Sequence, residues 1–132
     1  MFTMRLVGIV VFTVAATVFT SAHHSFFAEY DINEPIVLTG TVTELEWTNP
    51  HAWIFMEVTD PDGTVVEWEV ELGSPNTLIR YSWRRDTVQP GERLTVDGYL
   101  SKDGLKRINS KIITLADGTT FEAGSSALQS TR

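Results

Sequence analysis

The sequence predicts an all-β domain with little helix, and three observations predict it. Short segments in which apolar and polar residues alternate recur from about residue 36, as in strands that bury one face. Turns rich in glycine and proline separate them. One segment with helix signals falls between the third and fourth strands, which is the layout of an OB-fold. We therefore predict a five- to six-stranded OB-fold-like Greek-key barrel with one short helix between strands 3 and 4, and a β-sandwich is the alternative.

The first three strands are predicted over residues 36–47, 51–58 and 64–72. The first is rich in β-branched residues, and Gly40 marks a bend or bulge in it. The third alternates most clearly, so one face is expected to point inward and the other to form a solvated acidic surface, or one that attracts cations. The inward residues are Val66, Trp68, Val70 and Leu72, and the outward residues are Glu67, Glu69 and Glu71.

The second half of the chain begins with a short helix within residues 73–83. Ser74 suits its N-cap and Pro75 its first helical position. Two more strands are predicted over residues 93–100 and 107–115, and a last turn leads to a short strand at most.

The first 22 residues have the pattern of a secretory signal peptide. Arg5 precedes an apolar run of about 14 residues, which is short for a membrane span, and small residues follow it. Cleavage between Ala22 and His23 would make His23 the mature N-terminus, and an uncleaved signal anchor is the alternative. The predicted organisation is a signal peptide (1–22), an N-terminal segment docking on the barrel (23–35), the OB-like barrel (36–123) and a loose tail (124–132).

Composition limits the function classes. The chain has no cysteine, which excludes thiol catalysis and thiolate metal sites, and an exported chain of this kind has no disulfide to hold it together. It carries 17 acidic against 10 basic residues and a net charge of −7. Such a surface repels phosphate backbones, so we expect no nucleic-acid partner. A membrane contact is expected only through the signal segment before cleavage.

Two of the three histidines, His23 and His24, would begin the mature chain, and His51 is the third. The amine and ring nitrogen of an N-terminal histidine can chelate one ion, and a further imidazole gives a nitrogen-rich site that suits copper, with zinc second. The metal site predicted in this way comprises His23, His24 and His51. The alternative is structural: adjacent residues on an extended segment point in opposite directions, and His51 can hydrogen-bond within its own turn.

His51 follows the loop between the first two strands, and this loop is a ligand-binding edge in OB-folds. We name the edge around His51 the His51 rim. Aromatic side chains cluster there in the sequence, although a small β domain also uses such residues as core. The residues predicted to bind a ligand at the His51 rim are Trp47, Asn49, Trp53 and Phe26.

Several strings occur together in order: AHHSF (22–26), EYD (29–31), EWTNPHAWI (46–54) and ELGSPN (71–76). With them, the chain resembles a family of small exported bacterial proteins of unknown function over roughly residues 22–124. The resemblance implies bacterial export and a single β domain, and it places all three histidines within shared motifs. It implies no particular activity.

These observations predict a periplasmic or secreted, non-catalytic binding or accessory module that presents the His51 rim to a ligand or a protein partner. The alternative is a periplasmic copper- or zinc-binding protein that uses the N-terminal histidines. An oxidative copper enzyme built on His23 is a third possibility. The sequence contains no nucleophile–base signature, phosphate loop or haem motif, so we expect no enzyme and no certain cofactor.

Overall fold

Six strands and two short helices make up the regular structure of residues 26–124, the part of the chain that the computed structural model describes. The elements are α1 (Phe26–Glu29), β1 (Tyr30–Glu46), β2 (Trp53–Thr59), β3 (Val65–Glu71), α2 (Pro75–Arg80), β4 (Arg93–Ser101), β5 (Arg107–Leu115) and β6 (Thr120–Glu122). The predicted all-β class is confirmed, as is the helix between strands 3 and 4. Within these residues, neither helix has the length and apolar character needed to cross a membrane.

The first five strands close into a barrel. β1 pairs antiparallel with β2 on one side and with β4 on the other, β2 pairs with β3, and β4 pairs with β5. A short parallel pairing between β3 and β5 completes the ring, and β6 extends it from β5. This order, β1-β2-β3-β5-β4, is the connectivity expected of an OB-like barrel.

The predicted bend at Gly40 has a physical reason. Around Thr41, β1 changes from pairing with β4 to pairing with β2, and the register shifts between Val42 and Glu44. A Cβ on Gly40 would lie only 2.5 Å from the carbonyl oxygen of Glu57. Glycine is therefore the residue that permits this close approach of β1 to β2.

β1 begins at Tyr30, six residues before the start that the sequence predicts. Tyr30 pairs with Ser101, and the register then shifts before pairing resumes at Pro35. The backbone N–H of Lys102 donates to the carbonyl oxygen of Glu29 at 2.8 Å. The segment from α1 into β1 is thereby fixed on the end of β4, and its polar residues and proline obscured the strand in the sequence.

α2 begins as predicted. Ser74 is its N-cap, with the backbone N–H of Thr77 donating to the Ser74 hydroxyl at 3.2 Å, and Pro75 follows at the first position. The helix is shorter than the predicted segment because Ser82 has φ of 68°, a left-handed conformation that a helix cannot contain. Trp83 then turns back to donate from its indole N–H to the carbonyl oxygen of Glu122 at 2.7 Å.

The core lies inside the barrel and under α2. Alternate residues of β2 and β3 point into it, as the pattern of the third strand predicts, and α2 contributes Leu78. The buried core cluster comprises Val42, Ala52, Ile54, Met56, Val58, Trp68, Val70, Leu72, Leu78, Trp83, Val88, Leu94, Val96, Ile108, Ile113 and Ala123.

Candidate functional site

A second, polar layer lies on the outer side of the sheet, beside His51. The pairing of β2 with β3 places Trp53 opposite Glu71, the last residue of β3. Beyond it, the N–H of Ala52 donates to the carbonyl oxygen of Gly73 at 3.1 Å. His51, immediately before Ala52, is thereby held next to the Glu71 carboxylate.

Glu71 is a buried carboxylate, with only 4% of the residue exposed. The Tyr30 hydroxyl donates a hydrogen bond to its Oε2, and Nδ1 of His51 contacts its Oε1. The side chain of Asn109 is also close enough to help lower the pKa of the carboxylate. Each carboxylate oxygen is therefore held by a residue from a different part of the chain. The prediction that Glu71 lies on a solvated face is wrong, because Tyr30 and His51 contact its carboxylate and the residue is buried.

The contacts shift the pKa values of all three residues. Burial by itself would raise the pKa of Glu71, but the hydrogen bonds from His51 and Tyr30 hold it below its ordinary value of 4.5. The hydrogen bond to Glu71 raises the pKa of His51 above 6.5, against the effect of partial burial. Burial and the bond to Glu71 raise the pKa of Tyr30 far above 10. Tyr30 therefore stays protonated and Glu71 stays ionised at neutral pH.

The N-terminal segment forms the cover of this layer. The Phe26 ring stacks on the Tyr30 ring at a centroid distance of 5.6 Å, and its edge contacts Tyr99 at 5.7 Å. The ammonium of Lys102 donates to the carbonyl oxygen of Phe27 at 2.8 Å. The charge of Glu29, the last residue of α1, also raises the pKa of His51. Phe26, the first described residue, is therefore linked to the polar layer through the ring of Tyr30.

Arg107 forms a neighbouring charged group on the same face. Its guanidinium lies over the Trp53 ring, 5.5 Å from the centroid, and donates to Oε2 of Glu69 at 2.6 Å. A longer contact of 3.4 Å joins it to Asp103. Although burial lowers the pKa of Arg107, the hydrogen bond to Glu69 raises it overall. The positive charge of Arg107 is thus compensated by two carboxylates.

The predicted site residues have different surroundings. His51 lies in the polar layer, Phe26 reaches it through Tyr30, and Trp53 is in register with Glu71. Trp47 packs against the barrel core, and Asn49 is exposed next to a cis peptide bond with Pro50. The other two predicted metal ligands, His23 and His24, lie outside the described residues.

The sequence did not predict that Tyr30, Glu71 or Asn109 lies beside His51, and Glu71 was expected only as part of the outward acidic surface of the third strand. A signal was present for the first two, because Tyr30 lies in the EYD string and Glu71 begins the ELGSPN string, two of the strings on which the family resemblance rests. Asn109, 2% exposed, has no such signal, and its Oδ1 has no hydrogen-bond partner among residues 26–124.

The arrangement leaves one ring nitrogen of His51 available. Its side chain is 34% exposed, and within the described part of the chain Nε2 has no hydrogen-bond partner. A histidine whose Nδ1 is held by a carboxylate is the usual orientation in metal sites, and it serves equally to direct Nε2 at another ligand. Between residues 26 and 124 there is no group of three or more His, Asp or Glu residues placed to hold a metal ion.

The sequence of this chain matches a known protein family. A family model described as a family of unknown function, DUF6152, matches residues 10–109. The chain belongs to this family. The DUF6152 match contains Tyr30, His51, Glu71 and Asn109, so the whole polar layer lies inside it, and the expected membership of a family of unknown function is confirmed. A search of curated proteins finds no match.

Proposed function

We propose that this chain is an exported, non-catalytic binding or accessory module that presents the His51 rim to a ligand or a protein partner. The observation that carries the proposal is the buried Glu71 carboxylate, fixed by Tyr30 and directed at a partly exposed His51. Burying an ionised carboxylate is expensive, and apolar residues often stabilise such a position better. The fold therefore keeps a destabilising buried charge next to a partly exposed imidazole. This is better explained if the imidazole binds a ligand or a partner.

The charges around the His51 rim support a positively charged or hydrogen-bond-donating partner. Glu46 lies opposite Trp53 in the pairing of β1 with β2, and Glu44 lies opposite Phe55. The nearby cation Arg107 is paired with Glu69 and Asp103. A field of this sign attracts cations and disfavours anions.

Site-specific crosslinking in living bacterial cells tests the use of the His51 rim. A photo-crosslinking amino acid at Asn49 is expected to give a discrete adduct, and the same residue at Asp62 is the control because the β2–β3 turn lies at the other end of β2. The adduct should disappear when His51→Ala is added. Equal adducts at both positions, or one that survives His51→Ala, would contradict the proposal.

Export has a separate test, because the proposal takes residues 1–22 as a cleaved signal peptide. Intact-mass spectrometry of the chain recovered from the periplasm or medium should give the mass of residues 23–132. Recovery of the full-length chain only from the membrane fraction would support the signal-anchor alternative.

A copper-binding protein, with zinc the less favoured ion, is the second candidate. It is favoured by the Nδ1-to-carboxylate contact of His51 and by the position of Phe26, whose ring stacks on Tyr30. Residue 23 is only three positions before Phe26 in the sequence. This candidate takes His23, His24 and His51 as the ligands of one ion.

Cu(II) titration of the mature chain tests this candidate. The amine of His23 should be required, so adding one alanine before His23, which keeps every imidazole, should weaken binding strongly. His51→Ala should weaken it too if the third imidazole takes part. Unchanged affinity in both variants would remove the candidate.

A further inference from the structure

The contacts of Glu71 determine where His51 carries its hydrogen. An ionised carboxylate can only accept hydrogen bonds, so the Nδ1 atom that contacts Glu71 must be protonated. In the neutral ring the lone pair is then on Nε2, the nitrogen that has no partner among residues 26–124. Tyr30 restricts the arrangement further, because its hydroxyl occupies the other carboxylate oxygen and prevents Glu71 from rotating.

We infer that Tyr30 and Glu71 are positioning residues, which hold His51 as the Nδ1–H tautomer and offer Nε2 to a divalent transition-metal ion. The inference rests on the proposed use of His51 at the rim. It goes further, because it names the ligand atom, the chemical class of the ligand and two residues that act without touching it.

The surroundings favour a cation over the other ligands of imidazole. Glu71 places a negative charge directly behind the ring, and Glu29 is close enough to raise the pKa of His51. The guanidinium of Arg107 is paired with Glu69 and Asp103, so these two carboxylates offset its repulsion of an incoming ion. A carboxylate on Nδ1 also increases the basicity of Nε2, and this is how outer partners strengthen metal-bound histidines.

The tyrosine gives the carboxylate its second fixed point. The Tyr30 ring stacks on the Phe26 ring, and the backbone of Tyr30 pairs with Ser101. These two contacts fix the position from which the Tyr30 hydroxyl donates to Glu71. Removing the hydroxyl would free one oxygen of Glu71 and loosen the direction of Nε2. Tyr30→Phe is therefore expected to weaken metal binding without changing any ligand atom.

Nitrogen NMR and metal titration of the purified exported chain test the inference. At a pH above the raised pKa of His51, where the ring is neutral, the ¹⁵N shifts of His51 should show an unprotonated Nε2 and a protonated Nδ1 in the metal-free chain, and Zn(II) should shift the Nε2 resonance selectively. Glu71→Gln is expected to weaken Zn(II) and Cu(II) binding by about 10- to 100-fold, the usual effect of losing an outer partner. Tyr30→Phe should act in the same direction, and Glu67→Gln, an exposed carboxylate on the same strand and face, should leave the affinity unchanged.

The outcomes separate the inference from simpler accounts. A structural role alone predicts that Glu71→Gln lowers stability but leaves metal affinity as in the wild-type chain, and that result would overturn the inference. So would a neutral His51 ring that carries its hydrogen on Nε2, or a His51 resonance that Zn(II) does not shift. If His51 binds no metal but the crosslink at Asn49 still depends on His51, only the assignment of a metal ligand is overturned. If the crosslink at Asn49 is also absent, the proposed function is overturned as well.

Discussion

Glu67 and Glu71 lie on the same strand and point to the same side of the sheet, yet their surroundings are opposite. Glu67 is exposed and lies directly across from Glu57, another carboxylate. Glu71 is buried and receives hydrogen bonds from Tyr30 and His51. Strand alternation assigned both residues to the outer face, but only the N-terminal segment decides which end of that face is covered. The end of β3 at Glu71 therefore belongs to a buried, hydrogen-bonded polar layer, whereas the part of β3 around Glu67 is a solvated surface.

The largest expected effect comes from removing the two carboxylates in turn. Glu71→Ala leaves the Tyr30 hydroxyl and His51 Nδ1 without their acceptor, and it should lower the free energy of unfolding by about 3 kcal/mol. Glu67→Ala should change it by less than about 0.5 kcal/mol. Urea unfolding measures both values. Equal values for the two variants would mean that Glu71 is not buried in the folded chain.

Two tyrosines that both lie near Phe26 sharpen the comparison. Tyr30→Phe keeps the stacked ring but leaves Glu71 Oε2 without a donor, so it should cost about 1–3 kcal/mol. Tyr99 contacts Phe26 through its ring, and its hydroxyl makes no hydrogen bond within the described residues. Tyr99→Phe should therefore cost less than about 0.5 kcal/mol. If both substitutions cost the same in urea unfolding, the tyrosines contribute only their rings.

The pH dependence of stability should distinguish the two ends of β3 as well. The pKa of Glu71 is lower in the folded chain than its ordinary 4.5, so its contribution is present above pH 4.5 and is lost as the pH falls through the folded value. The pKa of His51 is raised, so its contribution is full below pH 6.5 and is lost as the pH rises through the folded value. The contribution of the pair is therefore greatest between pH 4.5 and 6.5.

Urea unfolding across a pH series checks this expectation. The difference in unfolding free energy between the wild-type chain and Glu71→Ala should be largest in that window and decrease on both sides. Glu67→Ala should follow the wild-type chain throughout. A difference that does not change with pH would show that the cost of Glu71→Ala comes from packing alone.

Arg107 should give the smallest effect. It is partly exposed, and its ion pair with Glu69 and its contact with Trp53 together are expected to contribute about 0.5–1 kcal/mol. Arg107→Met should therefore lower the unfolding free energy by that amount, whereas Arg84→Met, which loses only an exposed pair with Asp86, should change it negligibly. High salt should reduce the loss of unfolding free energy that Arg107→Met causes, because salt screens the ion pair. A loss above about 2 kcal/mol for Arg107→Met would show that Arg107 belongs to the buried layer.

The same comparison explains what the sequence could predict. The β3 alternation predicts which residues fill the barrel, and Ser74 with Pro75 predicts where α2 begins, because both signals are local. Burial of Glu71 is not local: it depends on Tyr30, 41 residues earlier in the chain, and on the docking of α1 beside β4. The early start of β1 was also hidden, because pairing of Tyr30 with Ser101 overrides a polar segment that ends in proline.

The candidate site was predictable to the same extent. His51 stood out because histidine is rare in the chain, and Trp53 stood out because of its position beside the loop. The residues that orient His51 are a glutamate and a tyrosine, which are common at solvated and packed positions alike. Only their contacts across the sheet distinguish them from neighbours such as Glu67 and Tyr99.

Glu71 is an ionised, buried carboxylate bound by Tyr30 and His51, and the roles of all three residues depend on this state. A ¹³C NMR titration of the glutamate side-chain carboxyl groups measures it directly. The Glu71 resonance should titrate below pH 4.5 and should also respond when His51 titrates above pH 6.5. A Glu71 resonance that titrates near pH 4.5, with no response to His51, would contradict the claim.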